Sequence, residues 1–126
     1  MKRILVVEDD KNVALALTVR LRAAGYEPAV AYDATSVVPA ATRAKPDLIL
    51  LDISMPGGGG LVAAQRLRSL TPLATIPFIV LTASKKPGLR AEAMALGAAA
   101  FFEKPYEAGE LMSAIDHALT ACPTRA

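Results

Sequence analysis

Apolar and polar residues segregate along this chain into short apolar runs that stop abruptly on polar residues, separated by longer stretches of helical period. The first run, Ile4-Leu5-Val6-Val7, ends on Glu8-Asp9-Asp10. Four to eight apolar residues with such boundaries read as a buried strand. Asp10 is placed to cap the helix that follows, roughly 11 to 24. There Val13, Leu15, Ala16, Leu17, Val19 and Leu21 form a broad apolar stripe until Gly25 stops it. Residues 27 to 31 read as a weak strand. A second helix over 33 to 44 is interrupted by Pro39, and a proline in a helix interior costs ~3 kcal/mol, so a kink or a late helix start is expected.

The next run, Leu48-Ile49-Leu50-Leu51, lies in PDLILLDISMPGGGG and stops on Asp52. Ser54-Met55-Pro56 and four glycines intervene before a helix expected from Leu61 to Leu70, with Leu61, Val62, Ala64, Leu67 and Leu70 inward and Thr71-Pro72 closing it. The spacing predicts a strand at Ile76 to Leu81, followed by Thr82 and Ser84. A short helix at 89 to 96 stops at Gly97. A small strand at 98 to 103 runs into Lys104-Pro105, and a last helix covers about 107 to 121, with Leu111, Ile115, Ala118 and Leu119 at helical spacing.

Strands too apolar to have a wet face, alternating with helices, argue for an α/β domain, a doubly wound parallel sheet covered on both sides. All strands of such a sheet point the same way. Glu8, Asp9, Asp52, Thr82 and Lys104, each at a strand's carboxyl end, should therefore converge along one edge, where ligand crevices form. A carboxylate there is expensive to desolvate without a nearby cation, so Asp52 predicts positive charge beside it.

Composition narrows the class. The 126 residues are 53% hydrophobic and 21% charged, enough for one domain with a real core, expected over 1–121 with a short tail at 122–126. The net charge of +2 is too dilute to imply direct nucleic-acid binding. One cysteine, Cys122, excludes an intrachain disulfide and is expected to be inert, and no apolar run is long enough to insert in a membrane. A cytoplasmic location is the expectation.

Three acidic groups, a hydroxyl and a lysine suit a hard divalent cation such as Mg²⁺ together with phosphate. A carboxylate beside that cation could attack phosphorus to form an acyl phosphate, whose oxygens need metal, lysine and hydroxyl to neutralise them. VVEDD at 6 to 10, LLDISMPGGGG at 50 to 60, LTAS at 81 to 84 and GAAAFFEKPY at 97 to 106 together resemble the receiver domain of two-component response regulators over nearly the whole chain. The resemblance implies a five-stranded flavodoxin-like (βα)5 fold with strand order 2-1-3-4-5. It implies that Asp52 accepts a phosphoryl group from the phosphohistidine of a histidine kinase or histidine phosphotransfer protein. Mg²⁺ would be bound by Glu8, Asp9, Asp52 and the Ser54 backbone carbonyl, with Thr82 and Lys104 on the phosphoryl group. Phosphorylation would draw Thr82 inward and let the aromatic Phe101 fill the vacated space, switching a surface of the fourth helix, fifth strand and fifth helix for a downstream effector or a phosphorylation-dependent dimer. A cis bond is expected before Pro105.

The chain departs from the family in Gly57-Gly58-Gly59-Gly60, which predicts a flexible loop, and in having Phe101 rather than tyrosine. Ser54 and Ser84 occupy the positions that the resemblance assigns to tuning self-dephosphorylation. Several plainer readings compete. Glu8 and Asp9 could simply cap the first helix, and His117 reads as a solvated surface residue. Lys85, Lys86 and Arg90 read as a solvated face or a site for an acidic partner. As alternatives in function, a docking scaffold that needs no phosphate would normally have lost acidic or lysine positions. An aspartyl-phosphate phosphatase would need Asp-x-Asp where this chain has Asp52-Ile53-Ser54, and a flavin binder would need a Ser/Thr-rich loop after the first strand.

Overall fold

A computed structural model describes residues 1–54, 59–70 and 73–120. The chain alternates β1 (Arg3–Val7), α1 (Lys11–Ala23), β2 (Glu27–Ala31), α2 (Val37–Ala44), β3 (Leu48–Asp52), α3 (Gly59–Ser69), β4 (Phe78–Thr82), α4 (Leu89–Ala95), β5 (Ala100–Glu103) and α5 (Ala108–Thr120). All strands pair in parallel in the order β2-β1-β3-β4-β5. This is the doubly wound architecture that the alternation predicts.

Side chains alternate along each strand and so build two cores. Ile4, Val6, Leu48, Leu50, Ile79 and Leu81 pack with Leu17 and Leu21 of α1 and Leu111, Ile115 and Ala118 of α5. Leu5, Val7, Ile49, Leu51, Phe78 and Val80 pack on the other face with Val37 and Ala41 of α2, Ala63, Ala64 and Leu67 of α3 and Ala93 of α4. Both faces of β3 and β4 are buried, which is why these strands carry unbroken apolar runs.

Helix ends follow their sequence signals. Asp10 accepts from the amides of Asn12 at 2.9 Å and Val13 at 3.2 Å. Gly25 has φ of +91°, and Tyr26 N–H returns to the Leu21 carbonyl at 3.0 Å, so α1 stops where glycine tolerates the left-handed region. Pro39 produces a late start: a 3₁₀ turn at Ala34–Ser36 precedes α2, and the proline stands third in the helix, where its nitrogen has no intrahelical partner to lose.

Other expectations need correction. In α1, Leu15 and Val19 are 61% and 58% exposed, and Ala16 is exposed too, because the stripe that meets the sheet is Ala14, Leu17, Thr18 and Leu21, with Val13 packed at its edge. In α3, Val62 points outward and Ala63 joins Ala64 and Leu67 on the buried face, while Leu70 lies exposed just past the helix end. The helix begins at Gly59 rather than Leu61, so Gly59 and Gly60 belong to it and not to the loop expected there. The last two strands start later than expected, at Phe78 and Ala100. Met55 to Gly58, the Thr71-Pro72 pair and the tail with Cys122 lie outside the described residues, so the expectations placed on them stand untested.

Candidate functional site

Parallel register brings the strand ends together. Val7 pairs with Leu51, Asp52 with Leu81, and Thr82 with Glu103, so Glu8, Asp52, Thr82 and Lys104 emerge at one edge of the sheet. Glu8, Asp52 and Thr82 are 2%, 1% and 0% exposed. Buried charges require a partner, and Lys104 supplies it. Its Nζ lies 2.6 Å from Asp52 Oδ2 and 3.0 Å from Glu8 Oε1.

The other Asp52 oxygen is also held. Oδ1 accepts from the Ser54 amide at 2.8 Å and from Ser54 Oγ at 2.5 Å. Glu8 Oε2 accepts from the Asp10 amide at 3.2 Å, so Glu8 turns inward while Asp10 caps the helix, and the simple capping reading of Glu8 does not hold. Asp9 is exposed and makes no side-chain bond among the described residues. Thr82 Oγ1 accepts from the Ser84 amide at 3.0 Å. Among the described residues, no bond joins Thr82 to the carboxylates.

Protonation is divided unevenly across this cluster. Burial pushes the Glu8 carboxyl up, the bond to Asp52 adds to the rise, and together they outweigh Lys104 to bring it to about 7. Burial pushes Asp52 up as well, but hydrogen bonds with Glu8, Lys104 and Ser54 prevail and hold it below the ordinary aspartate value. Lys104 stays above its usual value because its two carboxylate partners overcome its burial. Near neutral pH, Asp52 is ionised and Glu8 is poised between its two forms.

These donors fit Mg²⁺. All are hard oxygens, and Mg²⁺ is usually held by one or two carboxylates with several waters retained. Among the described residues no three His, Cys, Asp or Glu side chains form a ready-made cluster, since Asp9 faces solvent and Lys104 draws Glu8 and Asp52 onto one ammonium.

Phe101 is 6% exposed and packs in the core cluster, so its ring faces inward. The Lys104-Pro105 bond is cis. His117 is exposed, as expected. Sequence reading missed the Ser54 hydroxyl contact, for which the two-residue spacing from Asp52 was a usable signal. It also missed the contacts of Lys85 and Arg90 with β5 and with Lys104 just beyond it, 11 to 19 residues away in sequence.

Comparison with known proteins converges on one family. Residues 4–116 match the sequence profile described as the response regulator receiver domain. The transcriptional regulatory protein BaeR of Escherichia coli is 33% identical over 120 residues, 95% of this chain and 49% of that protein. The DNA-binding response regulator MtrA of Mycobacterium tuberculosis is 34% identical over 90% of this chain and 49% of its own length. The chain thus spans about half the length of the curated relatives it matches. Among solved structures, the signal receiver domain of a signal transduction histidine kinase from Syntrophus aciditrophicus superposes with a TM-score of 0.89 at 29% identity, covering all of this chain and 95% of that one. The response regulator TrrA from Thermotoga maritima, in complex with Mg²⁺-BeF, gives 0.81 at 30% identity over 94% and 99%. With its parallel 2-1-3-4-5 sheet and this edge of converging polar groups, the chain belongs to the response regulator receiver domains, the signalling switches of two-component systems.

Proposed function

We propose that Asp52 is the phosphoacceptor of this receiver. The observation that carries the reading is a carboxylate 1% exposed at a strand's carboxyl end, ionised, and bound at 2.6 Å by a lysine that also holds Glu8. An oxygen of Asp52 attacks the phosphorus of a phosphohistidine on a histidine kinase or histidine phosphotransfer protein. The P–N bond breaks, the electron pair stays on the imidazole nitrogen, and that nitrogen takes a proton. Lys104 moves from neutralising the carboxylate to pairing with the transferred group, and Thr82 Oγ1 turns its hydroxyl toward it. Ser54 holds Oδ1 through two hydrogen bonds and Lys104 holds Oδ2, so the carboxylate is oriented through both of its oxygens.

Mg²⁺, when bound, would supply charge neutralisation at the phosphoryl oxygens, and Glu8, Asp9, Asp52 and the Ser54 carbonyl would hold it. The Mg²⁺-BeF complex of TrrA supports binding of the ion by similarity. Output would pass through the face of α4, β5 and α5 to an effector or to a second copy, by a shift between two states of Thr82 and Phe101. A cytoplasmic setting suits a partner kinase, and no described helix is long and apolar enough to cross a membrane.

Incubation with Mg²⁺ and acetyl phosphate, followed by intact mass, tests the reading. One added phosphoryl group that disappears in Asp52→Asn is expected. An unchanged mass in both proteins, with no beryllofluoride binding, would overturn it in favour of a docking scaffold.

A further inference from the structure

The segment that leads from β4 into α4 carries three cations, Lys85, Lys86 and Arg90. Two of them turn back onto β5. Lys85 Nζ lies 3.0 Å from Glu103 Oε2 and donates to the Lys104 carbonyl at 3.2 Å. The Arg90 guanidinium sits 5.2 Å from the centroid of the Phe101 ring, and its Nη2 donates to the Phe101 carbonyl at 3.4 Å. Lys86, between them, makes only a backbone bond to Ser84 Oγ among the described residues.

These contacts fall on the residues that matter. β5 is an edge strand, hydrogen-bonded in the sheet to β4 alone. The Lys104 peptide is gripped from both sides: its amide donates to the Thr82 carbonyl at 2.8 Å, and its carbonyl accepts from Lys85. The same residue's ammonium spans to Asp52 and Glu8. A hydrogen bond of 2.6 Å tolerates little displacement of the backbone that carries it. At the other end of the strand, Arg90 covers a ring buried in the core.

We propose that Lys85 and Arg90 are positioning residues, a two-point cationic clamp that ties the segment after Thr82, from Ser84 into α4, to Lys104 and Phe101. Lys85 fixes the peptide from which Lys104 reaches the acceptor, and Arg90 favours the inward ring. Movement of this segment is thereby passed to β5, and by reciprocity whatever loosens the clamp weakens binding at Asp52. The consequence for binding rests on the phosphoacceptor reading; the clamp itself does not. An exposed ion pair and a single cation over a ring are each modest interactions, so the effect of breaking either is roughly two- to fivefold in affinity.

The test is a titration of the 126-residue chain with beryllofluoride and Mg²⁺, followed by NMR. Lys85→Glu and Glu103→Lys should each weaken binding, and the double swap should restore it. Lys86→Glu, which changes net charge equally, should bind like wild type. Arg90→Ala should shift the Phe101 ring signals and weaken binding, with Arg90→Lys in between. If Lys85→Glu and Lys86→Glu behave alike and the swap restores nothing, the clamp is wrong. If wild type does not bind, or Asp52→Asn binds equally well, the phosphoacceptor reading fails instead. In that case the Lys104 ammonium and Phe101 signals without beryllofluoride still decide: displacement in Lys85→Glu and Arg90→Ala supports the clamp, and unchanged signals overturn it.

Discussion

At the scale of single residues, Lys104 and Glu8 carry opposite consequences for stability. Glu8 has its folded pKa raised by burial and by Asp52, from 4.5 to about 7. A raised pKa means that the bound proton stabilises the fold fully below about 4.5 and that this contribution is lost as pH rises through about 7. Glu8→Gln keeps a neutral group in place at every pH. It should therefore gain on wild type between pH 5 and pH 8, by on the order of 2 kcal/mol in urea denaturation. A constant difference across that range would show that Glu8 is not titrating there. Removing Lys104 acts in the other direction, because Lys104→Met leaves two buried carboxylates facing each other without a cation. A loss of roughly 2–4 kcal/mol at pH 8 is expected, shrinking as pH falls through about 7 and Glu8 takes up a proton. A loss that stays constant with pH would point to packing of the lysine stem rather than its charge. The sequence made the cation legible, since an acid at the end of a buried strand demands one. It did not make the division of protons legible, which depends on the 2.6 Å and 3.0 Å distances that one ammonium keeps to two carboxylates.

At the scale of elements, strands were read more faithfully than helix faces, and the reason is geometric. A strand buried on both sides shows its whole length as an apolar run, as in β3 and β4. A helix shows only a stripe, and an alanine-rich stripe is ambiguous. Ala14, Ala63 and Ala64 are buried in places where Leu15 and Val62 compete for attention, yet the small residues win because they let the helix approach the sheet. Pro39 follows the same logic of position. Standing third in α2, it lacks an amide that would have had no partner anyway, and it is exposed. Pro39→Ala should thus change stability by less than about 1 kcal/mol, against the ~3 kcal/mol that relief of an interior helical proline would give. Thermal unfolding followed by circular dichroism distinguishes the two, and a large gain would mean that the helix is bent around the proline rather than begun beside it.

For the whole molecule, alternation of strands and helices was enough to predict a parallel sheet with both faces covered, while the 2-1-3-4-5 order came from family resemblance. Periodicity says nothing about which strands are neighbours. The order matters because it sets β1, β3 and β4 side by side and so brings residues 8, 52 and 82 together from distant parts of the chain. A site assembled in this way depends on the whole fold: an anion bound there would engage three strand ends at once and would be lost when any of them separates. Ligands that bind only the folded state stabilise it by mass action, by about 2.7 kcal/mol at one hundred times Kd. Beryllofluoride with Mg²⁺ should accordingly raise the unfolding temperature of this 126-residue chain by several degrees. The rise should require both components and vanish in Asp52→Asn, and it should be reduced but not abolished in Lys85→Glu. An equal rise in Asp52→Asn would place the anion elsewhere on the molecule, because no other buried carboxylate at this edge lies within hydrogen-bonding reach of both Lys104 and Ser54 among the described residues.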